Sequence, residues 1–306
     1  MIKINLKKNL KLKIKLKKCA FLTIKDLSGF ESYDHLLIGP MKENGWDVSF
    51  IPWDKLNQNW NNFDLVIVRS TWNYQNHLDE FLNVLRMIDQ SKALLLNPLP
   101  LIEWNVNKTY LKDLKKDGIP IIPSLFFDDF DIDEVRNSFN TFDSEKVIIK
   151  PTVGANADKI MIINKSDNMD TLKKTKDIYK YRSFILQPFI NSIKKDGEVS
   201  LIFFNKDFSH ALSKVPKKGD FRVQEEHGGT LKLLKNLDEQ KINLCKKILS
   251  LLPYDFFYSR IDLVVDEGNP LLMEIEVIEP SLYFNLEPKS ANLFAKKVSG
   301  FFNHQC

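Results

Sequence analysis

Residues 258–283 read Tyr-Ser-Arg-Ile-Asp-Leu-Val-Val-Asp-Glu-Gly-Asn-Pro-Leu-Leu-Met-Glu-Ile-Glu-Val-Ile-Glu-Pro-Ser-Leu-Tyr. Two apolar runs flank the turn-forming residues 266–270, a composition that predicts a β-hairpin whose loop is slightly longer than the two-residue minimum. If the two strands pair symmetrically about Gly268, Asp262 lies opposite Glu274.

The same pairing places Arg260 opposite Glu276. Because strand side chains alternate between faces, Tyr258, Arg260 and Asp262 share one face with the two glutamates. The opposite face is nearly all apolar and is predicted to belong to the core: Ile261, Leu263, Val265, Met273, Ile275 and Val277.

The three acidic residues of the polar face, Asp262, Glu274 and Glu276, are called the carboxylate trio below. Three ionised carboxylates repel one another by about 4 kcal/mol per pair at roughly 4 Å and an effective dielectric constant of about 20. A cation is therefore expected among them. Oxygen ligands without histidine or cysteine favour Mg²⁺ or Mn²⁺ over zinc. The alternative is a solvated polar face on an antiparallel sheet.

The composition is that of an ordinary globular chain, long enough at 306 residues and 43% hydrophobic content for two or three packed lobes. No apolar run has the length of a membrane span or of a signal core, so no membrane partner is expected. The cysteines, Cys19, Cys245 and Cys306, are too scattered for a thiol motif. This usage fits a reducing cytoplasm.

The charge is distributed unevenly along the chain. Residues 1–18 hold eight lysines and no acidic residue, so the +4 net charge conceals a mildly acidic body. An acidic body weakens the case for a nucleic-acid partner. We expect residues 1–18 to form a disordered basic leader. A strand, a membrane-surface tether and a nucleic-acid or ribosome contact of the leader are the alternatives.

An N-terminal parallel α/β lobe is predicted over residues 19–97. Short apolar strands alternate there with amphipathic helices, which is typical of βα units. Arg69, Ser70 and Thr71 follow the third strand, where ligands of such sheets bind, and can hold an anionic substrate group. The alternative is an ordinary turn and helix cap.

Two lysines mark the next lobe, which begins after the Asn97-Pro98 break. Lys108 lies in a short helix that Asn107 can cap. Lys150 ends a strand and precedes a loop of small residues at 152–157. A small-residue tip beside a lysine suits phosphate binding, because backbone amides can approach closely and the ammonium supplies charge.

The order of these features resembles that of the ATP-grasp ligases, over about residues 20 to 300. The shared segments are Lys108, Lys150 before its loop, Gln187-Pro188-Phe189-Ile190, Asp220-Phe221-Arg222 before Gly228-Gly229, Arg260-x-Asp262, and Glu274-x-Glu276. Within the family, the chain is similar to the glutathione-synthetase-like branch. It is more similar still to the cyclo-ligases of cycloserine biosynthesis, which have segments like 69–72, 220–226 and 278–281.

The resemblance implies a mixed fold, α/β and α+β. The parallel α/β lobe would be followed by two α+β lobes, a small one at 98–190 and a C-terminal one at 191–306, that clasp the nucleotide. It also implies a role for each site residue. Lys108 and Lys150 would bind the α- and β-phosphates of ATP under the loop that contains Gly154, Glu198 would bind the ribose, and adenine would be lined by Gln187, Pro188, Phe189 and Ile190. The carboxylate trio would bind Mg²⁺ or Mn²⁺, and Arg222 and Arg260 would stabilise the transferred phosphoryl group and the oxyanion.

Three positions depart from the family pattern. Glu276 stands where asparagine is commonest, Pro188 where many members have a glutamate, and Ser200 where the ligases of a ribosomal protein tail have an arginine. The first keeps an oxygen ligand but adds charge. The last counts against a shared substrate.

The expected activity is ATP-dependent ligation of a small-molecule carboxylate and an amine through an acyl phosphate. An ATP-binding regulatory or scaffold protein without turnover is the alternative. Substrate identity, linear versus cyclising ligation and oligomeric state stay open, because a fold carries no transferable code for them.

Overall fold

The computed structural model describes residues 15–305. Its strands are β1 (Lys17–Thr23), β2 (Trp46–Pro52), β3 (Leu65–Ser70), β4 (Leu94–Leu96), β5 (Leu125–Phe127), β6 (Lys146–Pro151), β7 (Met161–Asn164), β8 (Phe184–Pro188), β9 (Glu198–Phe204), β10 (Asp207–Val215), β11 (Thr230–Leu233), β12 (Tyr258–Asp266) and β13 (Asn269–Glu276). Its helices are α1 (Ile38–Glu43), α2 (Leu78–Asp89), α3 (Leu99–Asn105), α4 (Tyr110–Lys116), α5 (Ile132–Thr141), α6 (Met169–Tyr179), α7 (Glu239–Ser250) and α8 (Lys289–Gln305).

A parallel sheet of order β2-β1-β3-β4 forms the N-terminal part. Strand β3 is buried along its whole length, as its continuous apolar sequence requires when helices cover both faces. Helices α2 and α3 pack on one face, and α1 and α8 pack on the other. The predicted parallel α/β lobe is confirmed.

Two antiparallel sheets follow. Sheet β5-β8-β6-β7 packs against α5 and α6. Sheet β11-β10-β9-β12-β13 has α4 and α7 on one face and α8 on the other. Helix α8 therefore lies between this sheet and the parallel one, and the mixed α/β and α+β fold is confirmed.

The hairpin formed by β12 and β13 has the predicted pairing, with Asp262 opposite Glu274 and Arg260 opposite Glu276. Its loop is shorter than predicted, because Glu267 and Gly268 both have positive φ, 47° and 83°, as a two-residue type I′ turn requires. A bulge after Asp262 adds one residue to β13 and shifts the register by one, which restores the predicted pairing of Asp262 with Glu274.

The bulge also corrects one predicted core position. Met273 is the extra residue on β13, so it no longer alternates with its neighbours. It is half-buried and lines a cleft. Val265, near the turn, is also half-buried, whereas Ile261, Leu263, Ile275 and Val277 are core as predicted.

Several local elements differ from their predicted form. Helices α3 and α5 and strand β11 were not predicted. Lys108 precedes α4 rather than lying in it, although Asn107 Oδ1 accepts from Thr109 N at 3.1 Å as a local cap.

Most of the predicted basic leader lies outside the described residues. Its last two residues belong to β1, where Lys17 and Lys18 pair with Trp46 and Asp47. None of the helices within residues 15–305 combines the length and apolar character needed to cross a bilayer.

Candidate active site

A cleft bounded by both antiparallel sheets and by the N-terminal lobe contains most of the predicted site residues. Lining it are Lys108, Lys150, Gly154, Gln187, Pro188, Phe189, Ile190, Glu198, Arg222, Arg260 and the carboxylate trio. The hairpin supplies the floor of the cleft, because β12 and β13 turn their polar face towards it.

The carboxylate trio converges as predicted. One oxygen from each of its residues can be chosen so that all three lie within 4.8 Å of one another. Arg260 Nη2 contacts Asp262 at 3.0 Å and Glu276 at 2.5 Å, and Lys108 Nζ lies 3.5 Å from Glu274. Cationic side chains therefore offset the repulsion that the sequence predicted.

These contacts keep two members of the trio, Asp262 and Glu274, charged, whereas burial raises the pKa of Glu276 well above its ordinary value although Arg260 opposes the shift. Burial alone would raise the pKa of Asp262, but Arg260 and Lys214 lower it to about 2. Burial likewise opposes ionisation of Glu274, yet Lys108 and Lys150 hold its pKa below the ordinary value. Both carboxylates are ionised at neutral pH and can coordinate a hard cation.

Lys214 is a site residue that the sequence analysis missed. It lies 3% exposed on β10, ion-paired with Glu198 and 3.4 Å from Asp262 Oδ2. Burial lowers its pKa, but Asp262 and Glu198 raise it further, so the ammonium stays charged. Its position could have been found from the sequence, because symmetric pairing of β9 and β10 about Lys206 places Lys214 opposite Glu198, as the structure shows.

Lys108, Lys150 and the loop at 152–157 form the end of the cleft at which phosphates are predicted to bind, and this loop is called the phosphate loop below for that reason. Lys108 Nζ donates to the Gly154 carbonyl at 2.8 Å, which ties the loop to the start of α4. Lys150 ends β6 and is 5% exposed. Burial lowers the pKa of Lys150 to about 8, with Glu274 opposing the shift and Lys108 adding to it.

The tip of the phosphate loop rests on the N-terminal lobe. Asn156 Nδ2 donates to the Trp72 carbonyl at 3.0 Å, and Val153 and Ala155 pack against that lobe's core. The Trp72 ring N–H donates in turn to the Glu279 carbonyl at 3.0 Å. Trp72 therefore contacts both the loop and the segment that follows β13.

The far end of the cleft is apolar and suits a planar base. Pro188, Phe189 and Ile190 line it together with Ile122 and Ile148. Gln187 lies beside them, and its amide donates to Ser124 Oγ at 2.8 Å. The adenine role predicted for residues 187–190 is compatible with this lining and stays a prediction.

Arg222 lies in the cleft wall on the loop between β10 and β11. Its side chain is 38% exposed, and its guanidinium contacts Asp220 at 2.8 Å. This pairing leaves part of the group facing the cleft, where the predicted contact with a transferred phosphoryl group would be made.

Arg69, Ser70 and Thr71 do not line the cleft, in contrast to the predicted substrate contact. Arg69 is 2% exposed, and its Nε and Nη2 donate to Asp34 Oδ1 at 3.0 and 2.8 Å. Ser70 Oγ donates to the same carboxylate at 2.5 Å. The cavity beside Arg69, about 10 Å³, has room for one water molecule. Asp34 thus takes the place that an anionic substrate group was expected to fill.

The pKa of Lys150 predicts a pH-dependent affinity for ATP. The Lys150 amine is charged below about pH 8 and neutral above it, so the dissociation constant should rise with pH, by at most about tenfold per unit. Calorimetric titration of ATP with Mg²⁺ between pH 7 and 9.5 measures the slope.

The Lys150→Arg variant is the matched control, because arginine stays charged over this range. Its affinity should vary less with pH than that of the unmodified chain. Equal slopes in the two proteins would exclude Lys150 as the titrating phosphate contact.

Fold and cleft together define the class of ATP-grasp enzymes, in which two lobes enclose a nucleotide. The family profile described as "Prokaryotic glutathione synthetase, ATP-grasp domain" matches residues 130–290, which is more than half of the chain. The chain therefore belongs to this ATP-grasp ligase family, whose members use ATP to form carbon–nitrogen bonds. Residues 19–97 match the profile described as "D-cycloserine synthetase DcsG, N-terminal domain".

Individual relatives agree with the family assignment. The cycloserine biosynthesis protein DcsG of Streptomyces lavendulae is 26% identical over 262 residues, which cover 81% of this chain and 86% of that protein. The crystal structure of D-cycloserine synthetase DcsG superposes with a TM-score of 0.81 at 24% identity, over 93% of this chain and 99% of the other. D-alanine–D-alanine ligase from Bacillus anthracis, complexed with ATP, gives 0.61 at 16% identity, over 92% and 94%.

Proposed function

We propose that the protein is an ATP-dependent ligase that joins a carboxylate to an amine in small amino-acid-like substrates through an acyl phosphate. The observation that carries this proposal is the number of charged side chains that meet at the floor of the cleft, on and around the β12–β13 hairpin. Four cationic side chains, Lys108, Lys150, Lys214 and Arg260, surround the carboxylate trio. A protein that only bound nucleotide would need fewer of them.

The carboxylate trio fits a divalent ion. Its oxygens converge within 4.8 Å, and its donor set is entirely oxygen, as Mg²⁺ and Mn²⁺ prefer. Asp262, Glu274 and Glu276 would hold the ion. When bound, it would neutralise phosphate charge during phosphoryl transfer.

The reaction follows from positioning and electrostatics. A substrate carboxylate attacks the γ-phosphate of ATP, releasing ADP and forming an acyl phosphate. An amine then attacks the acyl carbon, phosphate leaves, and an amide remains. Lys108 and Lys150 hold the nucleotide phosphates, while Arg222 and Arg260 stabilise the transferred phosphoryl group and the oxyanion. No covalent nucleophile on the protein is required.

The similarity to D-cycloserine synthetase favours ring closure within one substrate over linear ligation. Mass spectrometry separates the two outcomes. A cyclised product weighs one water less than its substrate, whereas a linear product combines two substrates. Both reactions release ADP and phosphate, so nucleotide turnover alone does not distinguish them.

The competing function is a regulatory ATP-binding module. We expect ADP release under Mg²⁺ to be stimulated by a carboxylate–amine substrate, because acyl phosphate formation requires the carboxylate. Coupled ADP detection across pools of D- and L-amino acids and their derivatives measures this. Clear ATP binding without substrate-stimulated ADP release would reject the ligase and favour the module.

The proposed setting is the cytoplasm, with small molecules as partners. The two described cysteines, Cys19 and Cys245, are buried free thiols, which a reducing compartment permits. The mildly acidic body again argues against a nucleic-acid partner.

A further inference from the structure

Glu279 is a buried carboxylate for which the ATP chemistry gives no role. It lies on the segment between β13 and α8, lines the cleft and is 8% exposed. Among the residues that the structure describes, no lysine, arginine or histidine forms an ion pair with it, whereas each member of the carboxylate trio has one. A buried ionised group without a partner is costly, so such groups are normally compensated.

The N-terminal lobe fixes the position of Glu279. Trp72 donates its ring N–H to the Glu279 carbonyl at 3.0 Å, and Arg69 Nη2 donates to the next carbonyl, that of Pro280, at 3.2 Å. The buried Tyr74 hydroxyl stands beside the carboxylate. The two hydrogen bonds fix the main chain at Glu279, whose side chain lines the cleft. The Arg69 network therefore helps to hold this segment in place.

The cleft contains acidic side chains besides the carboxylate trio and Glu198. Glu279 is buried, whereas Glu31 and Glu226 are exposed and Glu225 is half-buried. Tyr33 donates to Glu225, and the Glu31 amide donates to Glu226. Lys108 and Arg260 also exert a favourable electrostatic field on Glu279. When these two cations bind phosphate, the negative charge of the phosphate largely offsets that field.

We propose that Glu279 binds the ammonium group of an amino-acid-like substrate. The inference rests on the proposed ligase function and deepens it, because it names the substrate group that Glu279 binds. The ammonium supplies the missing counter-charge. The Trp72 hydrogen bond fixes the main chain of Glu279, and the Tyr74 hydroxyl stands beside the carboxylate.

Binding to the full chain loaded with ADP and Mg²⁺ tests this without turnover. Calorimetry with D-alanine, D-serine and D-cycloserine should show binding of at least one amine probe, and none for D-lactate or D-glycerate. Glu279→Gln should weaken the bound probe's affinity by about tenfold or more, since a charge-assisted contact is lost, while ADP affinity stays unchanged. Glu279→Asp should retain part of the affinity.

Glu103→Gln, on the surface beside Arg86, is the matched control and should behave like the unmodified chain. The inference is overturned if Glu279→Gln binds the amine probes normally, if the deaminated probes bind as well as the amines, or if no amine probe binds while ADP does. Amine binding without ligase turnover would reject the proposed function and keep this inference. Ligase turnover that Glu279→Gln leaves unchanged would reject this inference and keep the proposed function.

Discussion

The Glu274→Gln variant is expected to lose about 100- to 1,000-fold in ATP-dependent turnover while its fold survives. Glutamine keeps the shape of the side chain but removes one charge from the carboxylate trio. It also removes the partner of Lys108 and a favourable charge near Lys150. The rate of ADP release at saturating Mg²⁺, with substrate present, measures the loss.

Glu267→Gln provides a control within the same hairpin, because Glu267 is an exposed turn residue far from the trio. It should leave turnover unchanged, and both variants should melt at nearly the same temperature as the unmodified chain. Normal turnover in Glu274→Gln would mean that the polar face of the hairpin is a solvated surface rather than a metal site.

The second large effect concerns stability. Lys214→Met should lower the free energy of unfolding by about 3 kcal/mol or more, because it leaves Glu198 buried without its cation and takes one of two cations from Asp262. Urea denaturation of the nucleotide-free protein, followed by circular dichroism, gives the value. Methionine is chosen because it preserves most of the side-chain volume.

A second substitution separates lost charge balance from lost packing. Glu198→Gln added to Lys214→Met should recover part of the lost stability, because the uncompensated carboxylate is then gone. Lys206→Met, at an exposed turn of the same β9–β10 hairpin, should change stability little. If Lys214→Met is as mild as Lys206→Met, the buried ion pair does not stabilise the sheet.

The hairpin register was predictable although two of its details were not. Symmetric pairing about Gly268 was correct at the trio because the tighter turn and the bulge at Met273 cancel. The sequence shows which side chains of each strand share a face. Because the apolar face must be buried, this pattern fixes how β12 and β13 pair near the site. A left-handed conformation at a non-glycine residue such as Glu267 leaves no comparable signal.

The sequence could not predict which buried polar side chains pair with partners from distant parts of the chain. Arg69 was correctly placed at the end of β3, yet its partner Asp34 comes from a separate segment, and nothing local indicates that the two meet. Glu279 depends on Trp72, 207 positions away. Lys214 was within reach, because cross-strand pairing alone sets it opposite Glu198. Periodicity predicts elements and faces, whereas the pairing of buried charges depends on how the lobes dock.

The two contacts of Trp72 join parts of the chain that are far apart in sequence. Its carbonyl accepts from Asn156 in the loop after β6, and its ring N–H donates to the carbonyl of Glu279 after β13. The N-terminal lobe thus bridges the two antiparallel sheets. Removing the Trp72 ring would release only the second of these contacts, because the first is made by the main chain.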